Sequence, residues 1–174
     1  GRYKNALVMG AETLTKITDW TDRTSCILFG DAAGAVVLES RPARTKDECK
    51  GVMYSTMASD GDYWETLCCR AYGSRHPAHE KLDNQKKIYM QIKGREVYQQ
   101  AIRRIVETVT ECMDHCGLSI DDVKMLISHQ MNGRIIESAA KRLNFPSEKV
   151  YINISRYGNT SAASVPLAFD ECIK

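Results

Sequence analysis

Met125-Leu126-Ile127-Ser128-His129-Gln130-Met131-Asn132-Gly133-Arg134-Ile135-Ile136 is the stretch on which the fold turns. Three consecutive apolar residues followed by polar ones read as a short buried strand, because a strand covered on both faces needs no alternation. The period then becomes helical. Ile135, Ile136, Ala139, Ala140 and Leu143 fall on one face, and Phe145-Pro146 closes the run. A strand running straight into an amphipathic helix is the building unit of layered α/β domains.

The neighbouring sequence repeats the alternation. Upstream, from Lys93, the residues Val97, Tyr98, Ala101, Ile102, Ile105, Val109, Cys112, Met113 and Cys116 form one apolar helical face. Gly117 follows where a left-handed cap is wanted. Ser119 offers an N-cap to a short acidic turn at Asp121-Asp122. Downstream, residues 150–152 read as a strand, Tyr157-Gly158-Asn159-Thr160 as a turn, and residues 162–173 as a third helix with Pro166 inside its first turn. The order strand, helix, strand, helix predicts an α/β layered domain whose strands are buried on both faces.

Before residue 90 the sequence is richer in strands. Runs at 6–9, 26–29 and 35–38 are short, apolar and bounded by Gly or Asp. Gly30-Asp31-Ala32-Ala33-Gly34 reads as a tight connection in which small residues let backbones approach. Residues 40–51 make a polar surface loop, and 52–58 a further strand. Residues 59–87 are rich in Asp, Gly, Arg, His, Lys and Asn, hold Tyr63, Trp64 and Tyr72, and show no sustained period. That length of irregular sequence is expected to form a flexible flap over a site.

Composition narrows the class. The 174 residues are 43% hydrophobic and 26% charged, with a net charge of +2. These values exclude a collagen, a coiled coil and a disordered tail. Near-neutral charge argues against nucleic acid as a partner. No stretch reaches the roughly 18 to 20 apolar residues of a membrane helix, and the N-terminus lacks a signal-peptide pattern, so a cytoplasmic location is expected. Seven irregularly spaced cysteines fit a reducing compartment better than a disulfide framework. A core strand starting within a few residues of Gly1, and a helix that stops at Lys174, suggest a chain cut at both ends.

Two polar side chains sit at strand ends, where α/β proteins place their sites. His129 precedes one helix and Asn159 another. Positive potential at a helix start disfavours an imidazolium and keeps a neutral ring that donates one hydrogen bond; an Asn amide donates at any pH. Two such donors converging on one point make an oxyanion or enolate hole. The residues alone also permit a structural histidine and a turn asparagine. His76 and His79 with Cys68 and Cys69, and His115 between Cys112 and Cys116, lack the spacing of a metal site, and no metal is expected.

The local sequences go further. His129-Gln130-Met131-Asn132-Gly133-Arg134-Ile135-Ile136 and Tyr157-Gly158-Asn159-Thr160-Ser161-Ala162-Ala163-Ser164 resemble the HQxNxRI and GNTSAAS signatures of the β-ketoacyl-ACP synthase III family. Thr21-Asp22-Arg23 and Phe29-Gly30-Asp31-Ala32-Ala33-Gly34-Ala35 resemble two further family stretches. The resemblance covers residues 1–174 and implies a thiolase-like fold, of which this chain is the C-terminal half. The family's nucleophilic Cys lies in the other half, and its closing strand and glycine-rich loop lie beyond Lys174.

On that resemblance His129 and Asn159 are catalytic, completing a Cys-His-Asn triad. Arg23 stacks on the adenine of acyl-CoA, Asn132 and Gly94 line the pantetheine tunnel, and Phe29 and Tyr98 are apolar positions near the site. Arg134, Lys141 and Arg142 receive the acyl carrier protein. The implied reaction condenses an acyl-CoA with malonyl-ACP, initiates fatty acid synthesis and needs no cofactor, in a cytoplasmic homodimer. Met131 stands where Ala is commoner, Ala32 for a Gly, Tyr98 for a Phe and Gln99 for a Lys, which puts the acyl-chain preference and carrier contacts in question. Two alternatives are a relative in secondary metabolism with other acyl donors and a non-catalytic scaffold subunit.

Overall fold

The structure, a computed structural model, describes residues 3–43, 45 and 50–174. Residues 1 and 2, and positions 44 and 46–49 of the expected polar loop, Cys49 among them, lie outside the described residues. The first sheet pairs β1 (Asn5–Thr13) with β2 (Asp31–Glu39) antiparallel, from Asn5 opposite Glu39 to Thr13 opposite Asp31. Paired residues share a face, so Val8, Val36, Gly10 and Gly34 look one way and Leu7, Val37, Met9 and Ala35 the other. Around Gly10 and Gly34 the first face is covered by residues 161–163 and the C-terminal helix, while Val8 stays 54% exposed. Contact is close enough that a Cβ on Gly10 would stand 2.4 Å from the Ala162 carbonyl oxygen.

The second face is bare. Leu7, Met9 and Val37 are 59%, 69% and 70% exposed, which corrects the expectation of burial on both faces. An antiparallel pair can carry one solvated face, but a contiguous apolar one marks a packing surface.

Two expected strands are absent, for physical reasons. Residues 26–29 form turns, because Cys26 N–H donates to Asp22 O and Leu28 N–H to Ser25 O. The Asp22 carboxylate also takes bonds from the hydroxyls of Thr24 and Ser25. These local bonds outcompete a ladder, and only Phe29 joins a bridge. The small-residue stretch 30–34 is accordingly no connection between strands; most of it lies within β2. Residues 52–58 find no strand partner among the described residues, and Met57 is 99% exposed.

Residues 59–87 are less irregular than their sequence suggests. They contain a one-turn 3₁₀ helix at Gly61–Tyr63, strand β3 (Leu67–Cys69) and a second 3₁₀ turn at Gln85–Ile88; β3 pairs antiparallel with β4 (Met90–Ile92).

Helix α1 (Gly94–Cys116) ends as expected, on a left-handed Gly117 at φ 65° whose N–H reaches Asp114 O while Leu118 N–H reaches Met113 O. At Ser119 the expected cap is reversed: the Asp122 carboxylate accepts from Ser119 N–H and Oγ. Helix α2 (Gly133–Arg142) buries Ile135, Ile136, Ala139 and Ala140, and Ile102 of α1 packs on it with Ile135 and Ala139. It ends at Asn144, left-handed at φ 58°, just ahead of Phe145-Pro146. The segments expected as strands at 125–127 and 150–152 do not form strands either; one isolated parallel bridge, Leu126 to Val150, joins them. A single turn, α3 (Ile154–Tyr157), and helix α4 (Ser164–Ile173) complete the order.

Candidate active site

Asn159 is held by its backbone. Its N–H donates to Leu28 O at 2.8 Å, and its carbonyl accepts from Gly30 N–H at 3.0 Å, forming the parallel bridge to Phe29. The approach demands glycine at Gly30, where a Cβ would sit 1.9 Å from Tyr157 O. Gly158 supplies φ 70°. Ser161, a non-glycine at φ 49°, is strained into the left-handed region, and its N–H donates to Asn159 Oδ1 at 2.9 Å. Asn159 Nδ2 has no hydrogen bond among the described residues and is left as a donor.

Behind this turn, Glu171 of α4 acts as a hub. Its carboxylate accepts from Asn153 Nδ2 at 2.8 Å, Arg156 at 2.6 Å, Tyr151 OH at 3.3 Å and, very closely, Tyr157 OH. The bonds from Asn153 and Tyr157 hold the Glu171 carboxyl below its ordinary 4.5, and the same contact raises the Tyr157 phenol.

His129 is held by its side chain. Its Nδ1 lies 2.6 Å from the Oγ of Ser164, which is itself 1% exposed. Ser164 Oγ also accepts from Gln130 N–H at 3.2 Å and donates to Ser161 O at 2.8 Å. A continuous path of hydrogen bonds therefore runs from His129 through Ser164 and Ser161 to Asn159, joining the two candidate catalytic residues. Gln130, 1% exposed, braces the crossing: its Nε2 reaches Ser128 O and Tyr151 O, and its Oε1 accepts from Asn153 N–H.

Burial lowers the His129 ring below 6.5, so it is neutral at physiological pH. Desolvation, rather than the helix start invoked above, is the cause: α2 begins only at Gly133.

The other candidate residues fall into two groups. Arg23 is exposed on a loop built by carboxylates: Asp19 accepts from Thr21, and hydrogen bonds from Ser25 and Thr24 hold the Asp22 carboxyl at about 2. That loop flanks a cleft of about 610 Å³ whose lining includes Asp22, Ser25, Asn84, Lys86 and Gly94. Arg23 and Gly94 thus belong to one region. Asn84 and Lys86, at the end of the 59–87 segment, went unassigned from sequence; Lys86 pairs with Asp19 at 3.7 Å.

Arg134, Lys141 and Arg142 are exposed along α2 and make no ion pair among the described residues. Arg134 lies in the first turn, where the helix dipole disfavours a cation, so helix stability does not explain it. Lys141 and Arg142 share a groove of about 450 Å³ with Tyr98, whose OH meets Ser138 Oγ at 2.9 Å. Tyr98 is therefore placed with the basic patch. Asn132 caps α2, its Oδ1 accepting from Arg134 N–H at 2.9 Å. Met131 packs against Ile102, Ile135 and Ala139, which gives it a core role.

Of the sets weighed for metal binding, Cys68, Cys69 and His76 line one cleft, but no group of three or more His, Cys, Asp or Glu among the described residues is placed to hold a metal ion. His76 pairs with Glu80 at 3.4 Å, Cys69 Sγ donates to Ile88 O at 3.2 Å, and His115 stacks on Tyr54. The six described cysteines are free, and no described helix is long and apolar enough to cross a membrane.

The layered α/β fold, in which a path of hydrogen bonds links His129 with Asn159, is of the thiolase-like class. The model of 3-oxoacyl-[acyl-carrier-protein] synthase III matches residues 1–61, and that of the same enzyme's C-terminal region matches residues 113–174. All of the chain aligns with a β-ketoacyl-[acyl-carrier-protein] synthase III of Caldanaerobacter subterraneus at 46% identity, and with one of Desulfitobacterium hafniense at 45%, covering 51% of each. The crystal structure of the Pseudomonas aeruginosa synthase III superposes with a TM-score of 0.84 at 32% identity, over 99% of this chain and 50% of that one. The Aquifex aeolicus enzyme superposes at 0.80 and 40% identity, over 98% and 49%. The chain belongs to the 3-oxoacyl-[acyl-carrier-protein] synthase III family. It spans about half the length of the curated relatives it matches.

Proposed function

We propose that these residues form the enolate-holding half of an enzyme that condenses an acyl-CoA with malonyl-ACP to give 3-oxoacyl-ACP, the first carbon–carbon bond of fatty acid synthesis. The observation that carries the reading is the hydrogen-bond path His129–Ser164–Ser161–Asn159, which links a neutral imidazole to an uncommitted amide donor.

The first stage needs a cysteine thiolate from the half of the relatives that this chain does not span. It attacks the acyl-CoA thioester; the C–S bond to CoA breaks, and CoA leaves as the thiolate, which takes a proton. In the second stage the malonyl thioester loses carbon dioxide. The electrons of the broken C–C bond form an enolate, whose oxygen accepts from His129 and from Asn159 Nδ2. The carbanion then attacks the acyl-cysteine carbonyl and expels the cysteine. Donors fixed in place before the charge develops are worth most in such a step. The two thioesters and the cysteine supply all the reacting groups, so the reaction calls for no metal or redox cofactor.

The cleft shared by Gly94 and the Arg23 loop suits the CoA moiety, with the planar guanidinium available to stack on adenine. Exposed Arg134, Lys141 and Arg142 suit an acidic carrier protein and its phosphate. The apolar outer face of β1 and β2 offers a packing surface to the remaining half, within a cytoplasmic homodimer.

In the full-length protein, His129→Ala is expected to slow malonyl decarboxylation by about 10²- to 10³-fold. Acyl loading of the cysteine, followed by mass spectrometry after incubation with acyl-CoA, should stay largely intact. Equal loss of both steps would contradict the enolate-hole role.

A further inference from the structure

The Ser164 hydroxyl has one hydrogen and three neighbours. Its geometry assigns the hydrogen to Ser161 O at 2.8 Å, so the oxygen can only accept from Gln130 N–H at 3.2 Å and from His129 at 2.6 Å. In this arrangement His129 must carry its proton on Nδ1. A neutral ring has one N–H, and Nε2 is then a lone pair, an acceptor. The enolate-hole role asks the opposite of Nε2. Turning only the hydroxyl hydrogen from Ser161 O to Nδ1 resolves the conflict without moving a heavy atom: Nδ1 becomes the acceptor, and the single ring proton resides on Nε2.

We propose that Ser164 is a positioning residue whose hydroxyl rotor sets the tautomer of His129, holding Nε2 as an acceptor at rest and turning it into a donor when the malonyl thioester binds. The proposal rests on the condensing reading above. Tautomer exchange is balanced through solvent when the contact between Nδ1 and Ser164 Oγ opens transiently: Nδ1 gives a proton to water, Nε2 takes one from water, the contact closes with the hydroxyl turned, and the ring charge is unchanged. The turned tautomer is the one that suits an enolate oxygen. Burial of Ser164 at 1% exposure leaves no water to substitute for either orientation, and the Gln130 N–H keeps the oxygen in place through both.

The test is ¹⁵N NMR of the full-length protein labelled at histidine, with the His129 resonances assigned by their loss in His129→Ala. At rest, Nδ1 is expected to be the protonated, pyrrole-type nitrogen; with a malonyl thioester analogue that cannot lose carbon dioxide, the proton is expected on Nε2. A resting ring already protonated at Nε2, or a ring whose tautomer the analogue leaves unchanged, overturns the proposal. Ser164→Ala should populate the Nε2–H tautomer at rest and slow decarboxylation about tenfold, a hydrogen bond's worth. An unchanged tautomer in that variant also overturns it. Should Ser164→Ala fail to fold, the two wild-type spectra decide alone. The tautomer is read without turnover, so a full-length protein that shows the expected spectra yet forms no 3-oxoacyl product sinks the condensing reading while the assignment to Ser164 stands.

Discussion

His129 and Asn159 are joined by one hydrogen-bond path but anchored in opposite ways. Asn159 is fixed by main chain: both its backbone groups bond to the Phe29 segment, and glycines at 30 and 158 permit the approach. His129 is fixed through its ring by Ser164, with Gln130 alongside. A backbone anchor yields only when the fold around it moves, whereas a side-chain anchor yields to the loss of one hydroxyl. In the proposed reaction the donor that must never change state is therefore the rigid one, and the ring that has two protonation sites is the adjustable one.

The contrast can be broken most forcefully at Gly30. Gly30→Ala puts a Cβ 1.9 Å from Tyr157 O, and the turn carrying Asn159 must shift. Urea unfolding of the full-length protein should show a loss of about 3 kcal/mol, together with loss of condensation. Unchanged stability would mean that the bridge from Phe29 to Asn159 does not hold the turn.

A smaller effect is expected at Glu171. Glu171→Gln keeps the shape of the hub but weakens its bonds to Asn153, Tyr157 and Arg156. A several-fold fall in kcat for decarboxylation is expected, with KM for acyl-CoA unchanged; equal activity would remove the hub from the site.

Reversing the charges at Arg134 and Lys141 leaves both anchors alone. It should raise KM for malonyl-ACP about tenfold, the scale of a lost charge pair at an interface, with little change in kcat. An unaltered KM for the carrier-linked substrate would remove the docking role.

Acidification should produce the mildest separation of the two anchors. The His129 ring is held below its unfolded value of 6.5, so its contribution is present above pH 6.5 and is lost as pH falls through the folded value. The Glu171 carboxyl is held below 4.5, so its contribution is present above pH 4.5 and disappears only as pH falls further. Thermal unfolding of the full-length protein should therefore show stability falling in two stages, the first below pH 6.5 through His129 and the second only below 4.5 through Glu171. A decline that begins well above pH 6.5 would contradict a neutral, buried His129.

Much of this was legible from local pattern. Helix α1, its left-handed Gly117 and the buried face of α2 all follow from a 3.6-residue period, which interactions a few residues apart dictate. The two motifs marked His129 and Asn159 because their residue types recur in a recognisable order. Residues 26–29 misled, since an apolar run does not reveal that the Asp22 carboxylate will gather Thr24 and Ser25 into turns. Residues 52–58 misled for a different reason: strand propensity cannot make a strand where no neighbour offers a ladder.

By itself the sequence determined the layered α/β class, the principal helices, the family and its two candidate catalytic residues, all properties carried by neighbours in the chain or by motif. Only the tertiary structure decided that Ser164 reaches back 35 residues to His129, that Glu171 ties down the turn behind Asn159, and that Tyr98 stands with the basic patch of α2. Such contacts join residues distant in sequence through one or two hydrogen bonds, which impose no period and leave no local trace until the chain is folded.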